Sequence, residues 1–533
     1  MEHPLTYLKQ RAGEDWLIGC ESHLFNSLTE QLFQELIPLS KRKTPPKILL
    51  AEQNPVRFLA AFLAAVAANC PVFLCNPNWV EGEWQQVFDL VQPDLIFGQA
   101  AYSPPPHSPT SPHSPSKLIM IPTGGSSGKI RFAMHTWETL MASVHGFHQY
   151  FGEKPINSFC VLPLYHVSGL MQFLRSFTTG GRLVILPFKA LVEGQGYPID
   201  PTDFFISLVP TQLARMIMPQ TRPFLSGGGG VIEVGENQDI MSQTPSFLSG
   251  GRGGIEVGAN RDTRSQAPPF LRGVGGDRDN NISLTSTWLS RFRAVLLGGA
   301  PAWPELLEQA RYHSIPLALT YGMTETASQV VTLKPEDFLS GNNSCGQVLP
   351  HARITIRSST GEILDANQTG MITIQANSIA LGYYPDGGWG DKENLSLPKS
   401  KIQNLESDDL GFFDEQGYLT IIGRHSNKII TGGENVFAAE VEAAIFATQL
   451  VADVCVIGLP DRYWGQVVTA VYVPSSPEVS PTLLQVAIED KISKFKRPKH
   501  WVQVKSLPRN GQGKVNYEKL KDVATAALQL TPH

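Results

Sequence analysis

The chain has 533 residues, of which 42% are hydrophobic and 17% are charged, the balance of an ordinary soluble globular protein. Because one hydrophobic core seldom serves so long a chain, we expect at least two domains. A formal net charge of -5 and a pI near 6.2 give no reason to expect nucleic acid or an acidic membrane surface as a partner.

The N-terminus and the cysteines both indicate a cytoplasmic protein. The opening MEHPLTYLKQRAGEDW lacks the apolar core and the small-residue cleavage site of a signal peptide. The six cysteines are scattered without a CxxC pair, which is typical of reduced thiols. The sequence leaves the oligomeric state open, and a homo-oligomer remains among the alternatives.

The segment KILLAEQNPVRFLAAFLAAVAANCPVFLCN is the first strong structural pattern along the chain. It predicts a strand, an alanine-rich helix and a second strand, and such a βαβ unit implies a parallel sheet covered by helices. Asn69 and Pro71 interrupt its apolar run, which favours a buried helix over a membrane span. With further strands predicted at KLIMIP, RLVIL, FFISLVP, RAVLLGG and LALTYG, the large N-terminal part is predicted to be α/β.

Two compositionally biased segments interrupt this pattern. Residues 103–116, SPPPHSPTSPHSPS, predict a Pro/Ser linker, and its two histidines have no third metal ligand nearby. Residues 223–280 contain PFLSGGGGVIEVGENQD, then SFLSGGRGGIEVGANRD, then a degraded PFLRGVGGDRD, a tandem duplication of about 22 residues. These units are too rich in glycine to offset the entropy of ordering, so we predict a disordered surface insert. The alternative, a nucleotide held by the glycine runs, lacks a strand–turn–helix context.

A smaller α+β pattern begins near Gly423–Ser426. VADVCVIGLPD and VVTAVYVP predict strands, and TLLQVAIEDKISKF predicts a helix. We therefore predict an N-terminal domain at 1–423 and a C-terminal domain at 424–533, which is long enough to fold independently.

The loop PTGGSSGKIRFAMHT, from Pro122 to Thr136, has the composition of an anion-binding loop. A kinase-type P-loop requires GxxxxGK[ST], but Thr123 stands where glycine is needed and Ile130 where the hydroxyl is needed. The loop still offers hydroxyls, flexible backbone amides and cations that suit a phosphate. These are Thr123, Gly124, Gly125, Ser126, Ser127, Gly128, Lys129 and Arg131. Taken alone, a plain glycine turn is an equal alternative.

Four further motifs follow the loop in order: YGMTET, DDLGFFDEQGYLTIIGR, GGENVFAAEVE and PRNGQGKVNYEKL. Together with the loop they resemble the adenylate-forming superfamily of acyl- and aryl-CoA ligases, luciferases and peptide-synthetase adenylation domains. The resemblance covers the whole chain apart from the repetitive insert. It implies a large N-terminal domain that binds ATP and the acyl substrate, and a small mobile C-terminal domain.

The resemblance also implies a role for each matching residue in ATP binding. The loop would hold the β- and γ-phosphates, although Ile130 stands where proline is usual. Thr324 would bond a phosphate and Glu325 would bind Mg²⁺. Asp409, with Arg424 beside it, would accept the ribose hydroxyls. The adenine and one wall of the acyl pocket would be bordered by Gly298, Gly299, Ala300, Tyr321 and Gly322.

Two half-reactions are implied, with the small domain turning between them about Ser426. Lys514 would bridge the substrate carboxylate and the α-phosphate, since attack by a carboxylate brings two anions together. Turning would then present the segment that includes Gly432, Gly433 and Glu434 to a second substrate. The end of the chain at His533 leaves no carrier-protein domain, and SKFKRPKH supplies cations, so coenzyme A is the expected acceptor. A solvated basic face is the alternative for that run.

The segments LPLYHVSGL, SLVPTQL, LLGGAPA and GGENVFAAEVE are most similar to the 2-succinylbenzoate–CoA ligases of menaquinone or phylloquinone synthesis. His166 resembles the residue that gates the acyl pocket in this superfamily, and a hydrogen-bonded core imidazole is the alternative. Arg175 is a candidate partner for the benzoate, but spacing does not fix its orientation, and it could equally pair with a neighbouring acid. A general aryl- or medium-chain acyl-CoA ligase remains an alternative. A non-catalytic nucleotide-binding scaffold is disfavoured because Glu325, Asp409, Arg424 and Lys514 are all present.

Overall fold

A computed structural model of the protein describes residues 2–20, 22–42, 44–98, 117–124, 130–193, 200–218, 278–385, 387–388, 404–425, 428–431, 434–461, 464–509 and 514–529. The predicted Pro/Ser linker at 103–116 lies outside the described residues, as does almost all of the insert at 223–280. Within the described part, the strands form four sheets and the helices cover them.

The first sheet has a parallel half and an antiparallel half. Its parallel strands are β2 (Ile48–Ala51), β3 (Val72–Leu74), β4 (Leu95–Gly98) and β5 (Ile119–Gly124). The antiparallel strands β6 (Ile130–His135), β16 (Gly382–Tyr384) and β17 (Gly387–Gly388) continue it beyond β5. The strand order is β17-β16-β6-β5-β3-β2-β4. The predicted anion-binding loop therefore joins two neighbouring antiparallel strands, β5 and β6.

The second sheet is parallel over most of its width, in the order β1-β8-β7-β9-β10-β11-β12-β13. The parallel strands are β1 (Leu17–Ile18), β7 (Asn157–Cys160), β8 (Leu183–Ile185), β9 (Phe204–Leu208), β10 (Ala294–Leu297) and β11 (Leu317–Met323). Strands β12 (Ser328–Thr332) and β13 (Gln347–Val348) close it antiparallel. These sheets confirm the α/β prediction.

Two antiparallel-rich sheets follow. The third sheet contains β14 (Ala352–Arg357), β15 (Gly370–Ala376), β18 (Asn404–Phe413) and β19 (Leu419–Arg424). The fourth contains β20 (Lys428–Thr431), β21 (Glu434–Phe437), β22 (Val451–Asp461), β23 (Gly465–Pro474) and β24 (His500–Gln503). The predicted domain boundary at 423/424 falls where the third sheet ends, and it stays a prediction.

The helices occupy the connections between strands. They are α1 (Pro4–Gln10), α2 (Ser22–Ser40), α3 (Pro55–Ala67), α4 (Glu81–Val91), α5 (Trp137–Tyr150), α6 (Val167–Thr179), α7 (Phe188–Val192), α8 (Pro210–Ile217), α9 (Arg278–Leu289), α10 (Pro304–Tyr312), α11 (Pro335–Leu339), α12 (Ala438–Phe446), α13 (Pro481–Ala487) and α14 (Tyr517–Gln529).

Helix α3 is the alanine-rich helix predicted between the first two strands. Asn54 caps it by accepting the amide of Arg57 at 3.1 Å, and Pro55 occupies its first turn, as helix starts favour. Nearly all of its residues are buried between the sheets, which explains the apolar run. Among the described residues, no helix is both long and apolar enough to cross a membrane.

Two helix boundaries differ from expectation. The helix predicted from Thr482 ends at Ala487, because the side chain of Arg497 donates to the backbone carbonyls of Glu489 and Ile492 and holds that segment as a turn. Helix α9 begins at Arg278, so the last three residues of the predicted insert, 278–280, belong to this helix. It packs against α8, so the two helices that flank the insert are neighbours.

Candidate active site

Asp409 lies on β18 directly opposite Arg424 on β19, and both oxygens of its carboxylate are bonded. Arg424 Nε donates to Oδ1 at 3.2 Å, and the hydroxyl of Tyr321 donates to Oδ2 at 2.8 Å. Ser407 Oγ accepts the Asp409 amide at 3.2 Å. Burial, and then the charge of Asp409, raises the pKa of Tyr321, which keeps its hydroxyl a donor. A carboxylate fixed in this way presents its remaining lone pairs in a defined direction.

The ends of β10 and β11 lie beside this carboxylate. Because the two strands are parallel neighbours, Gly298 and Tyr321–Gly322 meet at the same edge of the sheet. A Cβ at Gly298 would lie 2.2 Å from Thr320 Oγ1, and one at Gly322 would lie 2.2 Å from the Ser328 carbonyl oxygen. Close backbone approach therefore requires glycine at Gly322, whereas a side chain at Gly298 would displace the Thr320 hydroxyl.

Thr324 and Glu325 occupy a short 3-10 turn between β11 and β12. His135, at the end of β6, lies fully buried, and its Nε2 donates to the Thr324 carbonyl at 2.8 Å. Burial lowers the pKa of His135 to about 4, so the ring is neutral, and its Nδ1 accepts from Thr139 Oγ1 at 3.0 Å. The turn is thus attached to the strand that follows the anion-binding loop.

The carboxylate of Glu325 has its own partner in Tyr383, on β16 beside β6. The Tyr383 hydroxyl donates to Glu325 Oε1, and the backbone amide of Ala380 donates to the Glu325 carbonyl at 2.8 Å. Arg131 lies over the Tyr383 ring at 5.4 Å. Burial and then the charge of Glu325 raise the pKa of Tyr383. Glu325 is therefore held in one direction by neutral donors.

Lys514, from the C-terminal region, lies close enough to Arg424, Glu325 and Asp409 for their charges to affect its pKa. Desolvation, and then repulsion from Arg424, lowers the pKa of its ammonium group, whereas Glu325 and Asp409 raise it. The side chain remains exposed to solvent although its surroundings are crowded. The structure thus brings together the predicted Glu325, Asp409, Arg424 and Lys514, which lie far apart in sequence.

Trp303, just before α10, stacks on Phe446 of α12, with ring centroids 5.0 Å apart and ring planes 13° apart.

His166 also lies within reach of Lys514. It occupies the N-cap position of α6, after the turn that follows β7. Burial, and then the charge of Lys514, lowers the pKa of His166 to about 3, so its imidazole is neutral. Its ring packs against Tyr165 at 4.5 Å. A neutral aromatic ring near the Lys514 ammonium group would suit the predicted position of His166 at the entrance to an acyl pocket.

Arg175, two and a half turns along α6, is buried with only 2% of its surface exposed. Its Nη2 donates to Gln329 Oε1 at 3.0 Å and to Ser328 Oγ at 3.3 Å, and the guanidinium lies 4.0 Å over the Phe147 ring. In the described part of the chain, no carboxylate forms an ion pair with it. Desolvation lowers the pKa of Arg175 to about 9.

The surroundings of Arg175 contain further polar atoms without partners among the described residues. These are Arg175 Nε, Gln329 Nε2 and both ring nitrogens of His351. Burial, and then the charge of Arg175, lowers the pKa of His351 to about 4. A cluster of buried donors around one cation is an environment that a carboxylate of a ligand would complete.

Several predicted site residues fall partly or wholly outside the description. Thr123 pairs with Arg131 across β5 and β6, and Gly124 ends β5. Residues 125–129, which include Gly125, Ser126, Ser127, Gly128 and Lys129, lie outside the described residues. So do Ser426, Gly432 and Gly433, whereas Glu434 begins β21. Ala300 lies exposed just beyond β10.

Motif reasoning missed four side chains that the structure brings to the site: His135, Ser407, Tyr383 and Gln329. Strand pairing brings these side chains to the site; for example, β16 pairs with β6 through Tyr383 and Ala133. Two features of the sequence could have pointed to them: Ser407 stands two residues before Asp409, and GYYP follows a short apolar run. Neither feature predicts a contact until the partner strand is known.

Comparison with known proteins gives two family matches and many relatives. The AMP-binding enzyme model matches residues 98–384, and the model of the AMP-binding enzyme C-terminal domain matches residues 440–514. The 2-succinylbenzoate–CoA ligase of Oceanobacillus iheyensis is 38% identical over 226 residues, 42% of this chain and 45% of that protein. The Bacillus subtilis strain 168 ligase of the same name is 34% identical over 238 residues, 44% and 47% of the two chains. The chain thus spans a little under half the length of these relatives.

Solved structures are similar over nearly the whole chain. The o-succinylbenzoate CoA synthetase MenE from Bacillus subtilis, in complex with its acyl-adenylate intermediate OSB-AMP, matches with a TM-score of 0.70 and 22% identity. That match covers 97% of this chain and 98% of MenE. ATP-bound MatB from Rhodopseudomonas palustris matches with a TM-score of 0.70 and 19% identity, covering 98% of each chain. These likenesses establish the fold, and because the first family model spans more than half of the sequence, the chain belongs to the AMP-binding enzyme family.

Proposed function

We propose that the chain is an ATP-dependent ligase that activates a carboxylic acid as an acyl-adenylate and transfers the acyl group to coenzyme A, with release of AMP and pyrophosphate. The observation that carries this proposal is the convergence of Lys514 with Glu325, Asp409 and Arg424. Two acidic and two cationic groups in one neighbourhood suit a reaction between a carboxylate and a polyphosphate, whose own charges must be neutralised.

Each of these groups has a distinct task in adenylation. Asp409, oriented by Tyr321 and Arg424, accepts the two ribose hydroxyls, and the bare backbone at Gly298–Ala300 leaves room for the adenine. Lys514 bridges the substrate carboxylate and the α-phosphate. The loop that begins at Thr123, with the hydroxyl of Thr324, holds the pyrophosphate as it leaves.

The residues present fit a magnesium ion held jointly with the nucleotide. In the described part of the chain, no group of three or more His, Cys, Asp or Glu side chains could hold a metal. Mg²⁺ is usually bound by one or two carboxylates together with substrate phosphates and water, and Glu325 supplies such a carboxylate. When bound, the ion would neutralise charge on the phosphates. Tyr383 orients the Glu325 side chain and Lys514 balances its charge.

For the acid, we propose 2-succinylbenzoate, which would place the enzyme in menaquinone or phylloquinone synthesis. Ligases with this name are among the relatives of the chain. The substrate has two carboxylates, of which one is activated and the other must be desolvated beside a cation. Arg175 fits that second role, because its buried guanidinium has no carboxylate partner within the described residues and is surrounded by unpaired donors.

Thioester formation would use the opposite arrangement of the C-terminal domain. Turning about Ser426 would withdraw Lys514 and bring Gly432, Gly433 and Glu434 to the acyl-adenylate. A small domain with its own sheet and core, attached through the short connection after β19, suits such a movement.

A substrate panel tests the activity and the acid together. Pyrophosphate release is measured with ATP, Mg²⁺ and either 2-succinylbenzoate, benzoates or medium-chain fatty acids, and thioester formation is measured after addition of coenzyme A. We expect 2-succinylbenzoate to give the highest kcat/KM. Arg175→Met should lower that value by roughly 10²-fold, since an orphaned substrate carboxylate must be buried, while monocarboxylic acids are little affected. Equal turnover of monocarboxylic acids by the wild type would refute the choice of substrate.

The role of Lys514 has a separate test in the two half-reactions. Lys514→Ala should slow adenylation by roughly 10²–10³-fold or more, because charge on the α-phosphate loses its cation. Thioester formation from a supplied acyl-adenylate should remain largely intact. A loss of both half-reactions to the same degree, or of neither, would contradict this assignment.

A further inference from the structure

Lys514 is followed directly by residues that pair with the chain before it. Arg509 and Val515 form an antiparallel bridge, and the Asn516 amide donates to the Pro508 carbonyl at 2.8 Å. The position of Lys514 therefore depends on what fixes these flanking residues, because its own side chain has many rotamers to lose.

Both flanks are attached to one face of strand β22. Before Lys514, Arg509 Nη2 lies 2.6 Å from Asp453 Oδ2, with the two side chains 32% and 26% exposed. After Lys514, Tyr517 packs against the hydrophobic cluster that contains Cys455, and its interaction with the thiol of Cys455 raises the pKa of the Tyr517 hydroxyl. Side chains alternate between the two faces of a strand, so residues 453 and 455, which are two positions apart, point to the same side of β22.

A second layer fixes Cys455 itself. The thiol is buried, with 2% of the residue exposed, and forms a hydrogen bond with the carboxylate of Glu442 on α12. Glu442 also accepts the backbone amide of Val456 at 2.8 Å, at the edge of β22 that no other described strand covers. Burial raises the pKa of Cys455 well above its ordinary value, so the thiol keeps its proton and can donate to Glu442 while accepting from Tyr517.

The same anchor lies close to the residues proposed to bind the nucleotide. Helix α12, which carries Glu442, packs against β19, which carries Arg424, and the charge of Arg424 lowers the pKa of Tyr517 against the larger effect of burial. Arg424 is paired with Asp409. The hydrogen-bonded series Glu442–Cys455–Tyr517 therefore ends beside the pair proposed to hold the ribose. None of its three members has a role in adenylation as described above.

We propose that Tyr517 and Arg509 are positioning residues for Lys514, and that Cys455, backed by Glu442, and Asp453 hold them on β22. The proposal rests on the adenylation role of Lys514. It assigns a purpose to a buried thiol and a half-buried carboxylate that packing alone does not require, since an apolar pair would fill the same space without desolvating a carboxylate.

The test compares two tyrosines of the same domain. Tyr517→Phe removes only the anchoring hydroxyl, and Tyr472→Phe is the matched control, since Tyr472 is fully buried on β23 and its hydroxyl has no partner among the described residues. We expect Tyr517→Phe to slow adenylation by about 3- to 10-fold, as loss of one hydrogen bond does. Thioester formation from a supplied acyl-adenylate should stay within about twofold of the wild type. Tyr472→Phe should change neither rate.

A double variant identifies the route of the effect. In the Lys514→Ala background, Tyr517→Phe should cause no further loss of adenylation, because its effect acts through the lysine. If the double variant lost adenylation by the product of the two single losses, the proposal would be overturned. Equal effects of Tyr517→Phe and Tyr472→Phe would overturn it as well.

Hydrogen exchange at the Val515 and Asn516 amides gives a readout that needs no catalysis. It should be faster in Tyr517→Phe than in the wild type and in Tyr472→Phe, and unchanged exchange would overturn the proposal even where activity falls. Should the wild type release no pyrophosphate with any acid, the proposed function fails, and the exchange result still decides whether β22 anchors this segment.

Discussion

Glu325 is the single residue whose setting most constrains metal binding. Its carboxylate receives a hydrogen bond from Tyr383, and its backbone is held from Ala380, while His135 holds the preceding residue. These contacts come from the region of the sheet that contains β5 and β6, the strands on either side of the predicted anion-binding loop. The Glu325 turn is therefore attached to the strand that follows that loop in sequence, an arrangement that would suit electrostatic preorganisation in the proposed reaction.

Removing the Tyr383 hydroxyl should weaken metal binding more than it slows the reaction. For Tyr383→Phe we expect the Mg²⁺ concentration at half-maximal adenylation to rise by about 3- to 10-fold, the effect of one hydrogen bond to a charged group. Saturating Mg²⁺ should restore most of kcat. Binding of Mn²⁺ in the presence of ATP, followed by electron paramagnetic resonance, should weaken in parallel. Tyr384→Phe, on the same strand, serves as control, and an equal effect there would contradict the role of Tyr383.

At the level of elements, sequence patterns predicted strands β10 and β11, whose ends lie at the site, but they predicted neither β18 and β19 nor which strands pair. Asp409 and Arg424 were recognisable by motif, yet their opposition depends on the register of β18 with β19, which includes an irregularity at Leu410/Gly411. The orientation of Arg175 could not be derived from spacing. It depends on where α6 begins, at Val167, and on the packing of α5 and β12 against it.

The contact between α12 and β22 has a measurable pH dependence. Desolvation raises the pKa of Glu442 from an ordinary 4.5 to about 7. The folded protein therefore holds this proton more tightly than the unfolded chain, and its stability falls as pH rises from 4.5 through 7.

Glutamine does not ionise, so Glu442→Gln should gain stability relative to the wild type between pH 5 and pH 8. The gain should be roughly 1–2 kcal/mol in free energy of unfolding, reduced from the full effect because Glu442 is partly exposed. Denaturant unfolding at several pH values measures it. Glu440→Gln, which changes a carboxylate on the same helix that is paired with Lys496, is the matched control. A difference between Glu442→Gln and wild type that is constant with pH would contradict the assignment.

For the whole molecule, the repetitive insert is dispensable on our reading of the fold. Helices α8 and α9 flank it and pack against each other. Leu213 of α8 and Leu289 of α9 belong to the same hydrophobic core. A short linker can therefore replace residues 223–277 while leaving Arg278 in its helix. We expect kcat/KM within about twofold of the wild type, since loop length has a small effect on stability. Loss of activity in a variant with an unchanged circular dichroism spectrum would show that the insert contributes to function.

The buried guanidinium of Arg175 also implies a conflict between selectivity and stability. Among the described residues, its desolvation is compensated by Gln329, Ser328 and the Phe147 ring. An apolar side chain would fill this space without burying a charge, so the buried cation supports the proposed dicarboxylic substrate. Arg175→Met should raise the melting temperature of the ligand-free protein by about 1–3 °C. Adding 2-succinylbenzoate should raise the melting temperature of the wild type, but not that of the variant, and so remove this difference, because a ligand that binds the folded state stabilises it.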